Sequence, residues 1–121
     1  MVMEMVEIKL TIHGEPASKA NSRNIVLIGG KPRVIKSRKA LDYSKTFIAQ
    51  CPKRTALIEG DVSVDMKIFY ASRRPDLDES LILDLMQGLI YKNDRQVKEK
   101  HIYWGLDPSD PRTEITIRSI K

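Results

Sequence analysis

Residues 61–89 read DVSVDMKIFYASRRPDLDESLILDLMQGL, and the hydrophobic period changes partway along. Val62, Val64, Met66, Ile68 and Tyr70 fall on alternate positions, the pattern of a half-buried strand. Leu81, Ile82, Leu85, Met86 and Leu89 recur at helical spacing, which predicts a helix over about Glu79–Leu89 with Gly88 near its end. Between the two lies RRPDLDES, Arg73 to Ser80: two cations, a proline, then two aspartates one residue apart.

Working outward, Val6 to His13 alternates in the same way and is closed by Gly14 and Pro16. Two short β-rich runs, Asn24 to Ile28 and Arg33 to Lys36, flank Gly29-Gly30 and read as a hairpin. Ser37 is an N-cap residue for a helix over about Arg38–Gln50, in which Ala40, Leu41, Tyr43, Phe47 and Ile48 can share one broad apolar face. Pro52 ends it. Tyr91 to Asp94 reads as a turn, Val97 to Trp104 as a strand, and Glu114 to Ile120 as a last strand after a proline-broken loop. The order β-ββ-α-β-α-β-β predicts an α+β fold: one domain over residues 1–121, a mixed sheet with two helices packed on it.

Composition narrows the function classes. With 121 residues the chain has one domain's length, and a net charge of +5 makes a polyanion one reading of its partner. The single cysteine, Cys51, allows no internal disulfide and reads as a small filler at a helix end. No Cys/His cluster points to zinc. No run approaches the ~20 apolar residues of a membrane span. The N-terminus lacks the basic-then-apolar order of a signal peptide, so a cytoplasmic protein is expected. His13 and His101 lie on predicted strands and carry no catalytic pattern; Trp104 reads as core, and Tyr91, beside Lys92, as more exposed.

Residues 16–45 carry Lys19, Arg23, Lys31, Arg33, Lys36, Arg38, Lys39 and Lys45 against a single acid, Asp42. Charge gathered on one hairpin and one helix start suits a phosphate backbone, because each neutralised phosphate releases counterions. The bland alternative is a solvated face. Nothing here shows base-specific intent, so shape and backbone recognition are expected.

Asp76 and Asp78 stand at i and i+2, which on an extended segment point to the same side. Hard oxygen donors without Cys or His suit Mg²⁺ or Mn²⁺. The competing reading is turn chemistry, with Asp78 or Ser80 capping the following helix. Asp94, in YKNDRQV, is a third candidate that also reads as a plain turn aspartate. Asp84 belongs on the helix's outer face.

RRPDLDES, the apolar helix and GLIYKNDRQV together resemble the RusA-type Holliday junction resolvases. IHGEPASKANSR is similar to that family's strand followed by Gly-x-Pro and a polar, basic stretch, and TEITI to its last strand. The resemblance covers nearly the whole chain. It implies a homodimeric, Mg²⁺-dependent endodeoxyribonuclease that introduces paired nicks in four-way DNA junctions during recombination and repair. It matches Asp76 and Asp78 to the family's metal-binding pair and Asp94 to its third acidic residue. Arg73, Arg74 and the basic stretch would then guide the DNA backbone.

The chain departs from the family pattern beside these residues. Glu79 stands where the family has Asn after the aspartate pair, which makes it a candidate extra ligand. The usual helical lysine is missing; Ser80 is the nearest position, and Lys92, Arg74 and Lys19 are candidate replacements. A helix of eleven residues would span roughly 16 Å at ~1.5 Å per residue. That separation leads to the expectation that Asp94 completes the metal site of the other subunit. Alternatives are a RusA-derived DNA-binding protein that has lost cleavage, a metal nuclease for other branched DNA, and a basic structural or RNA-associated domain with no metal.

Overall fold

The computed structural model describes residues 6–18, 23–53 and 56–120. Its main sheet has the order β1-β6-β4-β5, formed by β1 (Glu7–His13), β4 (Val62–Tyr70), β5 (Val97–Leu106) and β6 (Arg112–Ser119). β6 runs antiparallel to β1 and β4, whereas β4 and β5 are parallel, so the sheet is mixed as expected. A separate antiparallel hairpin pairs β2 (Arg23–Ile28) with β3 (Lys31–Lys36). Its tip is Gly29-Gly30, where both residues take positive φ, 60° and 79°, that a side chain would oppose.

One face of the sheet is the core. Ile8, Leu10 and Ile12 of β1, Ile115 and Ile117 of β6, and Val62, Val64, Met66, Ile68 and Tyr70 of β4 are all buried. Each such side chain contributes about 1.5–3 kcal/mol by leaving water. The opposite face carries ion pairs instead, among them Arg118 with Glu7 and Asp65. The alternation legible in β1 and β4 therefore sets which side receives the helices.

α1 (Arg38–Gln50) starts where Ser37 Oγ accepts the Ala40 N–H at 3.2 Å. Its buried stripe is Ala40, Tyr43, Ser44 and Phe47. The broad apolar face expected from sequence is narrower: Leu41 and Ile48 stay 44% and 54% exposed. Positions i, i+3, i+4 and i+7 align on one line, and Leu41 and Ile48 lie one step off it. Ser44 joins the stripe because its hydroxyl donates to Ala40 O at 2.7 Å. Cys51 caps the helix, buried, and burial raises its thiol pKa.

α2 is Ser80–Met86, seven residues rather than the eleven expected. Gln87 is extended, Gly88 turns at φ 82°, and the Leu89 and Ile90 amides fold back onto Met86 O. Tyr91 is fully buried, not exposed, and its hydroxyl donates to Leu83 O at 2.7 Å. Burial pushes its phenol pKa upward, with Asp94 and Asp84 adding to the shift. The buried ring closes the chain under α2, and the helical spacing of Leu89 belongs to this reversal.

Candidate active site

The strands β4 and β5 are neighbours and parallel, so residues 71–96 must cross from the end of one to the start of the other. The aspartate pair, α2 and Asp94 all lie on this single crossover. Its first part is anchored at the C-terminal end of β4 and its last part near the N-terminal end. Nine residues of strand separate those ends by roughly 26 Å at ~3.3 Å per residue.

Two aromatic side chains brace the RRPDLDES loop. Tyr70, the last residue of β4, donates its hydroxyl to Asp76 O at 3.1 Å and accepts the Asp78 N–H at 3.2 Å. Trp104 of β5 donates its indole N–H to Pro75 O at 3.2 Å and stacks on Tyr70 with ring centroids 6.0 Å apart. The parallel register makes this possible, because Ile68 pairs with Trp104 and Tyr70 with Leu106. Trp104 is thus half-buried support for the loop, not deep core. Burial raises the Tyr70 pKa; its bond to the Asp78 amide opposes that, and the charges of Asp78, Glu15 and Glu79 add to it.

The carboxylates differ in their surroundings. Asp76 is exposed, and its side chain makes no hydrogen bond or ion pair among the described residues. Asp78 Oδ1 accepts the Ser80 N–H at 2.9 Å, so the turn chemistry anticipated for this residue is present. That bond orients the carboxylate. Glu79, the N-cap residue of α2, uses Oε2 to pair with Lys100 Nζ at 2.6 Å. A groove of ≈ 350 Å³ runs beside the pair, lined by Lys39, Tyr70, Arg74, Asp76 and Asp78 among others. Arg74 lines it, and Arg73 and Arg74 are both exposed and make no ion pair among the described residues.

Glu15 lines a neighbouring groove, which shares Lys39 with the first. Its Oε2 accepts the Ala71 N–H at 2.8 Å, while Oε1 lies 3.5 Å from Lys39 Nζ. It ties the start of the crossover to the first turn of α1. Sequence reasoning missed Glu15, Tyr70 and Trp104. Only the Gly-Glu-Pro after β1 hinted at the first, and pairing of β4 with β5 had to be known for the others.

Asp94 opens a single 3-10 turn, Asp94–Gln96, capped by Asn93 Oδ1 accepting the Arg95 N–H. The Asp94 N–H donates to Gln87 Oε1 at 3.0 Å, at the C-terminal end of α2. Gln96 holds the turn with one amide group. Its Oε1 accepts from the Lys92 and Asn93 amides at 2.9 Å each, and its Nε2 donates to Ile58 O and Gly60 O at 2.8 Å each. This is the physical content of the Asp-x-Gln motif: the glutamine locks the aspartate's turn to the entry of β4.

The crossover therefore brings Asp76 and Asp78 together and leaves Asp94 at the other end of α2. Among the described residues no three His, Cys, Asp or Glu groups converge to hold a metal. Lys31, Arg33 and Lys36 lie exposed on the hairpin, and Arg38 is exposed on α1, 3.6 Å from Asp42. Lys92 pairs with Glu59 at 2.6 Å, which ties it to the segment before β4 and not to the aspartate pair. Arg23 opens β2, and Lys19 lies outside the described residues. No helix among the described residues is long and apolar enough to cross a membrane.

A family model described as endodeoxyribonuclease RusA matches residues 13–118. The chain belongs to the RusA family, a family of endodeoxyribonucleases, and the resemblance read from its central motif is borne out. No individual curated protein shows a significant match.

Proposed function

We propose that this chain is a Mg²⁺-dependent endodeoxyribonuclease, with Mn²⁺ a possible substitute, that resolves four-way DNA junctions by paired nicks in recombination and repair. It would work in the cytoplasm as a homodimer, residues 1–121 forming one RusA-like domain. The observation that carries this reading is the crossover loop. It holds two carboxylates on one braced segment just after two exposed arginines, in a chain of the RusA family.

The donor set fits a hard divalent cation: Asp76 and Asp78 offer oxygens, and no Cys or His stands in the loop. Bound there, the metal would activate water and offset charge on the scissile phosphate. The chain's own residues do the rest. Arg73 and Arg74 hold the backbone against the repulsion of the carboxylates, and Lys31, Arg33, Lys36 and Arg38 extend the phosphate track. Tyr70 and Trp104 fix the loop beforehand, so the carboxylates need no reordering when DNA arrives.

Asp94 enters as a ligand from the other subunit. The parallel crossover separates it from the aspartate pair of its own chain, and a two-fold dimer would exchange these ends to give two composite sites suited to symmetric cuts. Mixing Asp76→Asn and Asp94→Asn subunits tests this. Shared sites predict that the mixed dimer regains one working site; activity no better than either variant alone contradicts sharing. Titration calorimetry with Mn²⁺, on the native chain and on Asp76→Asn, tests the metal. Binding is expected only to the native carboxylate pair.

The absence of any lysine from α2, which reads SLILDLM, favours one second reading: a RusA-family protein that binds branched DNA with weak or lost cleavage. Junction binding without nicking would establish it.

A further inference from the structure

On β5, Lys100 occupies a position whose row is otherwise apolar. It pairs with Val64, and the same face continues through Ile102 opposite Met66 and Trp104 opposite Ile68. Val64, Met66 and Ile68 are core, so Lys100 rises from the sheet face that carries α2 and the aspartate loop. A charge in such a row needs a partner, and it has one: Nζ lies 2.6 Å from Glu79 Oε2. The Glu79 side chain is mostly buried, 19% exposed, while Lys100 is half exposed. The ammonium is therefore held at one end and open to solvent at the other, one residue from Asp78.

The loop concentrates three carboxylates at Asp76, Asp78 and Glu79, and α2 supplies no cation to balance them. The arginines stand on the N-terminal side of the pair. The ammonium that reaches the C-terminal side comes from the edge strand.

We infer that Lys100 is a phosphate-contacting residue of this site. Its ammonium meets the DNA backbone on the side of the aspartate pair opposite Arg73 and Arg74, and Glu79 holds it in place between turnovers. The inference rests on the proposed role of Asp76 and Asp78. The competing explanation is edge protection, since an inward-pointing charge on an edge strand discourages pairing with another sheet.

The test is nicking of a synthetic four-way DNA junction with saturating Mg²⁺ by the full chain, comparing native protein, Lys100→Gln and Lys100→Arg, with the Tm of each. If Lys100 acts on the phosphate, Lys100→Gln loses at least about tenfold in kcat, in line with losing one preorganised charge partner. Some Tm is lost with it, because the mostly buried Glu79 carboxylate is left unpaired, but the fall in kcat persists at temperatures well below the variant's Tm, and Lys100→Arg recovers most of both. An unchanged kcat overturns the inference and leaves the aspartate site intact. A fall in kcat that only tracks a fall in Tm, with no rescue by arginine, also overturns it and assigns the pair to structure. A native protein that cleaves no junction overturns this inference together with the proposed function.

Discussion

Replacing Gln96 by Ala removes four hydrogen bonds with one substitution. Two are accepted from the Lys92 and Asn93 amides, and two are given to the carbonyls of Ile58 and Gly60. A neutral hydrogen bond contributes about 0.5–1.5 kcal/mol net. Lys92, Asn93 and Gly60 are exposed and can turn to water, so the low end of that range applies. The expected total is ~2–3 kcal/mol, which for a domain of this size lowers Tm by about 6–15 °C. Gln96→Glu is the sharper probe. It keeps two acceptor contacts but sets a carboxylate against two carbonyls, so it should be at least as unstable at neutral pH. Its stability should rise as pH falls, because the folded state favours the protonated, donating form and thereby raises the carboxyl's pKa. Thermal unfolding by circular dichroism reads the Tm, and amide exchange at Lys92 and Asn93 locates the change. A drop of less than about 2 °C, against an expected minimum of about 6 °C, with native protection at both amides would refute the role given to this side chain.

Tyr70→Phe removes the hydroxyl that joins Asp76 O to Asp78 N and should destabilise by ~1–3 kcal/mol in a denaturant titration. Nicking measured well below the variant's Tm should fall as well; native nicking would mean that the loop's shape does not depend on this hydroxyl. Gly105→Ala places a Cβ 2.8 Å from Phe69 Cδ1, and Phe69 is pinned beneath the Arg112 guanidinium at 4.0 Å. An overpacking loss of ~1–3 kcal/mol is expected, read as a lower Tm. Glu7 is held below the usual carboxylate range chiefly by its hydrogen bond from Arg118, and Asp107 chiefly by that from Arg112. A lowered folded pKa stabilises above the unfolded value and is lost as pH falls through the folded one, so Tm should stay level near neutrality and decline below about pH 4. Arg118→Met should shrink that decline.

Much of the fold was legible because its signals are local. The alternation of β1 and β4, the Ser37 cap and the Gly29-Gly30 turn each depend on residues a few positions apart, and each element formed where expected. The misread elements depend on distant partners. α2 stops at Met86 because Tyr91 folds back beneath it, a contact that spacing cannot encode. Leu41 and Ile48 stay exposed because the surface available to α1 is narrower than its apolar arc. The site divides in the same way. Asp76 and Asp78 are neighbours in the chain and were visible as a pair. Tyr70, Trp104, Glu15 and Lys100 reach the loop through strand pairing and through a strand-to-helix contact, and none sits in a motif of its own.

The most direct test of the central claim is the rate at which the native protein and Asp76→Asn nick a synthetic four-way DNA junction, with and without Mg²⁺. The Asp76 side chain is exposed and makes no hydrogen bond or ion pair among the described residues, so the asparagine variant should fold and bind the junction as the native chain does. The account predicts paired nicks from the native protein only when Mg²⁺ is present, and loss of nicking with retained junction binding in the variant. Equal nicking by both proteins, or nicking indifferent to the metal, would contradict the assignment of the aspartate loop as the catalytic centre.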